Sequence, residues 1–264
     1  MIEDVFFGPA APELGWVPAP RYLMRRARIL PQLESLARGR LLEVGPGAGM
    51  LLIEAARQGF HCETLELSAE ARMLAEAAIA QSGLDIPVHA EADARWKDTF
   101  DVLCAFDVLE HIEHDREALM QWRNWMVPNG TLLLSVPAHM RMWTAGDEWA
   151  GHFRRYEREA LLQMVREAGF APERIECYGF PLTNVSERVS ARIYARRTHR
   201  GSDAADVRRR NNDRSGIDRG PHLKLYPLLS SLPGKLALRT FCAIQNWFIH
   251  TDLGSGYLVR ARRL

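Results

Sequence analysis

The sequence predicts an α/β fold: a seven-stranded, mostly parallel sheet with helices on both faces and an antiparallel last strand. Three observations carry this. Short apolar runs alternate with helical stretches from about residue 40 to 178. The segment Arg40–Leu52, RLLEVGPGAGMLL, passes from an apolar run through Gly45, Gly47 and Gly49 into a new helix. A separate alternating stretch, GYLVRARR at Gly256–Arg263, closes the chain after a helical interruption.

The elements follow in order. Residues 1–20 are rich in Pro, Gly and Ala and are expected over the surface, leading into an entry helix around Arg21–Arg26. Leu41–Val44 has the character of a buried parallel strand, and Met50–Ala56 restarts as helix. The glycines between them allow a ligand close to the backbone, and the helix N-terminus offers free N–H groups. Phe60–Leu67 is the second strand, and Ala69–Gln81 a helix capped by Ser68 and ended by Gly83. Ile86–Glu91 and Phe100–Phe106 are the third and fourth strands. Asp115–Met126 is a helix stopped before Pro128-Asn129-Gly130, Thr131–Val136 the fifth strand, Glu157–Ala168 a helix and Arg174–Tyr178 the sixth strand. Residues 180–250 interrupt the pattern. Leu182–Arg197 is helical in pattern, residues 201–220 are polar and arginine-rich, and Leu223–Leu232 and Lys235–Ile249 are apolar helices split by Pro233-Gly234. The last strand is expected to pair antiparallel with the sixth.

The organisation is therefore an entry segment (1–39), a core (40–179 and 251–264) and an insertion (180–250), mobile over about 200–221. The 264 residues suffice for one domain with a large insertion, and a net charge of +1 provides no global attraction to nucleic acid. The four cysteines form no CxxC pair, which fits buried thiols in a reducing compartment. The acidic, proline-broken N-terminus does not read as a signal peptide, and no apolar run reaches 18 residues. A cytoplasmic protein is expected.

The motifs resemble those of class I S-adenosylmethionine-dependent methyltransferases, over about Leu41–Tyr178 and again at the last strand. They are Glu43-x-Gly45-x-Gly47-x-Gly49; Glu66, 21 residues after Gly45; Ala92-Asp93-Ala94; Asp107-Val108-Leu109-Glu110-His111-Ile112; and Val127-Pro128-Asn129-Gly130-Thr131. The resemblance implies a Rossmann-like sheet with S-adenosylmethionine as cofactor and S-adenosylhomocysteine as product. It places Gly45, Gly47 and Gly49 at the amino-acid portion, Glu66 on the ribose diol, and Glu43 among the cofactor-binding residues. Asp93 falls at the adenine amino group, and Leu67, Ala94, Asp107 and Val108 also border the cofactor, with Tyr22 reaching in from the entry helix. A nicotinamide-dependent dehydrogenase would carry GxGxxG, but Met50 stands where its third glycine belongs.

The acceptor side is expected beyond strands four and five. His111 follows the strand-four motif, and the long loop 137–156 is dense in Trp, His and Arg. Its Gly-His-x-Arg-Arg-Tyr phrase resembles a bacterial subgroup acting on natural-product, polysaccharide and lipid-type acceptors. His152 is the expected general base with Asp147 as orienter, and His111 and Tyr156 share the catalytic wall. Trp143, Arg154 and Arg155 are expected at the acceptor. The alternative is that His152 and Arg155 pin the loop to the sheet and Tyr156 caps the next helix. The cluster Glu110–Asp115 lacks metal-ligand spacing such as HExxH and reads as helix capping, so no metal is expected.

The expected reaction is methyl transfer to a hydroxyl or amine of a small, hydrophobic or lipid-like acceptor. The apolar helices of 182–250 would pack on the sheet or a second subunit, or touch the inner membrane face with the arginines above. A nucleic-acid methyltransferase using residues 191–220 is the alternative, disfavoured by the missing Asn/Asp-Pro-Pro-aromatic phrase. A non-catalytic cofactor-binding relative is the third.

Overall fold

The computed structural model describes residues 1–187, 216, 217 and 219–264. One sheet of seven strands organises the chain, in the order β5-β4-β3-β6-β7-β9-β8. These are β3 (Arg40–Val44), β4 (His61–Leu65), β5 (Val88–His89), β6 (Phe100–Phe106), β7 (Met126–Pro137), β8 (Phe170–Tyr178) and β9 (Gly256–Arg263). The pairs β3–β4, β3–β6, β4–β5 and β6–β7 are parallel. The last strand β9 runs antiparallel between β7 and β8, so it pairs with the fifth as well as the sixth strand of the sheet.

Side chains alternate across this sheet as a period of two requires. Leu41, Val102, Leu133 and Leu258 face a core shared with α1 (Pro20–Glu34), α2 (Met50–Arg57) and α3 (Ala69–Ser82). Leu42, Val44, Leu132, Leu134 and Val259 face the other core, against α4 (Asp115–Trp125) and α6 (Arg158–Glu167). The strand order reverses at β3, with β4 on one side and β6 on the other. In an open α/β sheet, the crevice beyond the strand ends at such a reversal is where ligands bind.

The structure departs from the sequence expectations in four places. The N-terminal segment is not a surface cover. It forms a hairpin of β1 (Ile2–Asp4) and β2 (Gly8–Ala10), and Phe7, Trp16 and Val17 are buried. The third strand shrinks to two residues. Pro128-Asn129-Gly130 does not delay the fifth strand, because β7 absorbs it where the pairing with β6 slips between Phe100 and Val102. Pro233-Gly234 does not separate the insertion helices. They are α7 (Gly220–Leu229) and α8 (Leu232–Gln245), and the break lies at Ser230-Ser231. Ser231 caps α8 by accepting from Gly234 N, and Pro233 sits in the first turn, where its missing N–H costs nothing. Residues 182–187 are helical; the rest of the expected helix to Arg197, and residues 200–215 of the polar stretch, lie outside the described residues.

Candidate active site

A cavity of about 580 Å³ opens at the C-terminal ends of β3 and β6. It is walled by α1, the glycine loop, the turn after β6, the loop after β7 and the inner side of α7.

The glycine loop makes the floor. Gly45, Gly47 and Gly49 all have positive φ, at 63°, 58° and 74°. A Cβ on Gly45 would lie 2.7 Å from a Val108 methyl, so both the conformation and the close approach of the next loop require glycine. Val108 therefore acts here by packing on the glycine turn. Glu66 ends β4 and points back at this loop. Its carboxylate accepts from Gly47 N at 3.3 Å and Ser68 N at 3.0 Å. Leu67, directly after it, is 73% exposed. Glu43 is buried behind the glycines; burial pushes its carboxyl up to about 8, against the pull of Arg25 and with help from Glu66.

Arg25 is the cation at the inner end. It lines both the main cavity and a small adjoining recess with Tyr22, Glu43 and Gly45. Its partner is Asp107, which Arg21 approaches at 3.6 Å and which accepts from Ser135 Oγ at 3.1 Å. Burial would raise the Asp107 carboxyl, but Arg25, Arg21 and Ser135 hold it well below the usual carboxylate range. Arg25 Nε and the Tyr22 hydroxyl are buried without a hydrogen-bond partner among the described residues. Nothing in the sequence motifs singled out Arg25. Its spacing of four from Arg21 on α1, which puts both on one helix face, is the signal that could have found it.

At the outer end the loop after β7 folds back over the turn after β6. Phe153 N donates to Glu110 O at 2.8 Å and fastens the two segments. Asp147 lies in α5 (Ala145–Ala150), a short helix within what reads from sequence as plain loop. Thr144 and Asp147 form a capping box at its start. Asp147 Oδ1 faces His152 Nδ1 at 2.9 Å, and Arg155 donates to both its oxygens at 2.7 and 2.9 Å. These bonds to His152 and Arg155 keep the Asp147 carboxyl well below its usual range despite burial. The other ring nitrogen of His152, Nε2, faces the cavity beside Glu110 Oε1 at 3.9 Å, with the His111 ring 4.7 Å from the His152 ring. Glu110 is fully buried, and neither of its carboxylate oxygens has a hydrogen-bond partner among the described residues; the same holds for His111 Nδ1. Burial, reinforced by Asp107, pushes the Glu110 carboxyl far up, and burial with His152 nearby lowers His111 to about 3.

The expected residues thus divide. Tyr22, Gly45, Gly47, Asp107, His111, His152 and Arg155 line one cavity, with Glu43 in the recess behind. Tyr156 does not join them: its hydroxyl donates to Asp115 on α4 at 3.0 Å and its ring packs in the core, and it does not cap the next helix either, whose N-cap is Glu157. Arg154 turns outward to Asp115 and the Glu113 carbonyl. Trp143 is half-buried outside the cavity, and Trp149, six residues on and within α5, lines it instead. Arg155 is in the wall, but its guanidinium is spent on Asp147, the Ala138 carbonyl and Glu187. Asp93 caps the turn before Trp96 and is chelated by exposed Arg95, whose bonds lower its carboxyl to about 2.

Residues 19–175 match the family described as a methyltransferase domain. The chain belongs to that family. Curated relatives include the ubiquinone biosynthesis O-methyltransferase of Cereibacter sphaeroides (strain ATCC 17029 / ATH 2.4.9), 29% identical over 151 residues. That match covers 50% of this chain and 60% of the relative's length. Among solved structures, a putative sarcosine dimethylglycine methyltransferase from Galdieria sulphuraria superposes with a TM-score of 0.57 at 14% identity, over 98% of this chain and 93% of that one. The Haemonchus contortus phosphoethanolamine N-methyltransferase 2, in complex with S-adenosyl-L-methionine, gives 0.52 at 15% identity, over 90% of this chain and 52% of that one. The Rossmann-like class I architecture and the membership of the methyltransferase family agree with the sequence expectation.

The side chains present fit S-adenosylmethionine. The orphaned Arg25 Nε and Tyr22 hydroxyl suit a carboxylate at the inner end of the glycine floor. The Glu66 carboxylate at the tip of β4 suits a diol, and exposed Leu67 offers an apolar shelf beside it. Among the described residues, no helix is long and apolar enough to cross a membrane.

Proposed function

We propose that the protein is an S-adenosylmethionine-dependent O-methyltransferase that activates its acceptor hydroxyl at the corner formed by Glu110, His111 and His152. The observation that carries this is the Asp147–His152 pair, with Nδ1 held by a carboxylate and Nε2 open to the cavity. A carboxylate on Nδ1 fixes the tautomer that leaves Nε2 free to accept a proton.

When bound, S-adenosylmethionine supplies a methyl group already activated as a sulfonium. The chain's part is to hold and align. Arg25 and Tyr22 would hold the cofactor's carboxylate, the glycine floor would admit its amino-acid portion, and Glu66 would accept from its ribose hydroxyls. At the other end His152 Nε2 takes the proton of the acceptor hydroxyl. That oxygen would then be the nucleophile toward the sulfonium methyl, the electron pair of the broken bond staying on sulfur.

The acceptor proposed is a small molecule with an apolar portion. Trp149, Ala150, Leu225 and Leu229 supply the apolar wall of the outer cavity. Leu225 is also 51% exposed, so the wall continues onto the surface of α7. Exposed Leu228 lies on the same helix, and Leu232 and Leu236 are exposed on α8. Residues 219–251 contain Arg219, Lys224, Lys235 and Arg239 and no Asp or Glu. Lys235 is paired with Asp4 of the hairpin; an apolar face flanked by the remaining basic residues suits an anionic bilayer, and the exposed leucines would lead a lipidic acceptor to the cavity.

The decisive assay is transfer of labelled methyl from S-adenosylmethionine to lipid extract, to a panel of small phenols and to RNA. Label in lipid or phenol, stable to conditions that cleave methyl esters, supports the reading; label in RNA alone overturns it. Co-sedimentation with phosphatidylcholine vesicles, with and without phosphatidylglycerol, tests the surface. Binding that needs the anionic lipid and is lost in Leu228→Glu/Leu232→Glu is expected. No binding at low salt, or a dimer dissociated by the same substitutions, overturns the membrane contact.

A further inference from the structure

We infer that Glu110, His111 and His152 form a binding site for one first-row divalent cation of the zinc or manganese class, set in the acceptor half of the cavity. This rests on the reading of that corner as the place where the acceptor hydroxyl is activated; with the ion bound, His152 Nε2 is a ligand, and water takes the acceptor proton in its place.

The donor atoms of the three side chains lie within 4.8 Å of one another. Two neutral imidazoles and one carboxylate are a donor set that zinc and other first-row ions take, leaving positions open for water or substrate. At metal–ligand distances of about 2.1 Å, tetrahedral ligands sit roughly 3.4 Å apart. The widest pair therefore closes by at most about 1.4 Å, within reach of side-chain rotation.

Burial makes the case stronger than proximity alone. Glu110 is fully buried in a cavity wall, yet both its oxygens lack a hydrogen-bond partner among the described residues. The other cavity carboxylates Asp107, Asp147 and Glu187 are each paired with arginine. Buried acids are ordinarily paired or bound to a metal. His111 lines the same cavity, and its Nδ1 is likewise buried without a hydrogen-bond partner among the described residues. The third donor, His152, has the outer partner that metal-binding histidines ordinarily possess: its far nitrogen is held by Asp147 at 2.9 Å, and Asp147 by Arg155. The Phe153 N to Glu110 O bond fixes the separation between the turn bearing Glu110 and His111 and the loop bearing His152. His114 and Asp115, which share the sequence cluster, take no part; Asp115 accepts from Tyr156 and pairs with Arg154.

With the ion in place the acceptor oxygen is a ligand, and its proton passes to water as the metal lowers its pKa. The oxygen pair then forms the O–CH3 bond, and the sulfonium carbon–sulfur pair stays on sulfur. No electron is gained or lost by the metal.

The test is direct binding of cobalt(II), as a spectroscopic stand-in, and of zinc to the full chain stripped with EDTA. One equivalent is expected, with intense visible cobalt bands showing four- or five-coordination, and displacement by zinc. Glu110→Gln should weaken binding by at least about 100-fold, and Asp147→Asn by roughly 10–100-fold. S-adenosylhomocysteine affinity in each variant checks that the chain is folded. No stoichiometric binding, or binding indifferent to Glu110→Gln in a folded variant, overturns the proposal. Methyl transfer that survives EDTA in chain shown to be metal-free would leave His152 as the base and remove the metal. Failure to methylate any hydroxyl acceptor in the metal-loaded chain would instead remove the reaction and leave the site.

Discussion

Replacing Asp147 by asparagine removes a single charge at the junction of stability and chemistry. In the native site, Oδ1 faces His152 Nδ1 and accepts from Arg155 Nε, while Oδ2 accepts from Arg155 Nη2 and from Thr144 N at 2.8 Å. Whichever way the asparagine amide is turned, its NH2 group meets an N–H donor. The buried Arg155 guanidinium also loses its main counter-charge. Removing one partner of a buried pair costs about 3–5 kcal/mol, and asparagine, retaining one acceptor, belongs near 3. At roughly 2–4 °C per kcal/mol for a chain of this size, Tm should fall by about 6–12 °C. His152 would lose the carboxylate that sets its tautomer, and turnover with the acceptor found by the labelling assay should drop on the order of 10²–10⁴-fold. S-adenosylhomocysteine affinity by calorimetry should change by less than about threefold, because Asp147 does not touch the glycine floor. A variant that loses stability but keeps full turnover would show Asp147 to be a loop staple alone.

Other substitutions probe the cofactor half. Arg25→Gln should weaken S-adenosylhomocysteine by roughly 10–150-fold in calorimetry, the worth of a charge-assisted bond to a carboxylate; unchanged affinity would move the carboxylate elsewhere. Gly45→Ala combines about 1–2 kcal/mol of left-handed strain with a clash against Val108, so both Tm and cofactor affinity should fall; an unaltered Tm would mean that Val108 yields freely. Glu43 titrates near 8 in the folded chain against an ordinary value of 4.5. Its folded form holds a proton that the unfolded chain releases, so stability is fully present below about pH 4.5 and falls as pH rises through 8. Glu43→Gln should therefore gain Tm over the parent chain from pH 5 to 9, and a gap independent of pH in thermal scans would contradict this.

Much of this was legible in the sequence for physical reasons. The strands are apolar runs bounded by glycine and polar residues, so order and type could be read directly. Gly45 and Glu66 sit at strand ends, where the fold leaves little freedom. Misreadings arose where composition and context disagree. Phe7 and Trp16 lie among Pro, Gly and Ala, and only the core they share with α1 and α2 shows why they are buried. Pro233 reads as a breaker unless Ser231 is recognised as a cap. In the site, Glu110 and His152 are 42 positions apart in the sequence. Their meeting depends on the Phe153–Glu110 backbone bond and the Asp147 capping box, which no local pattern reveals. Tyr156 and Arg154 belong to a conspicuous phrase, yet their partner is Asp115 on α4.

The direction of the transferred methyl decides which part of the cavity holds the acceptor. A crystal structure with S-adenosylhomocysteine measures this directly. The thioether sulfur should face the Glu110–His111–His152 corner, within about 8 Å of His152 Nε2: a bond to methyl, a near-attack gap and a hydrogen bond laid end to end. A sulfur facing away from that corner, or a homocysteine carboxylate remote from Arg25, would contradict the assignment.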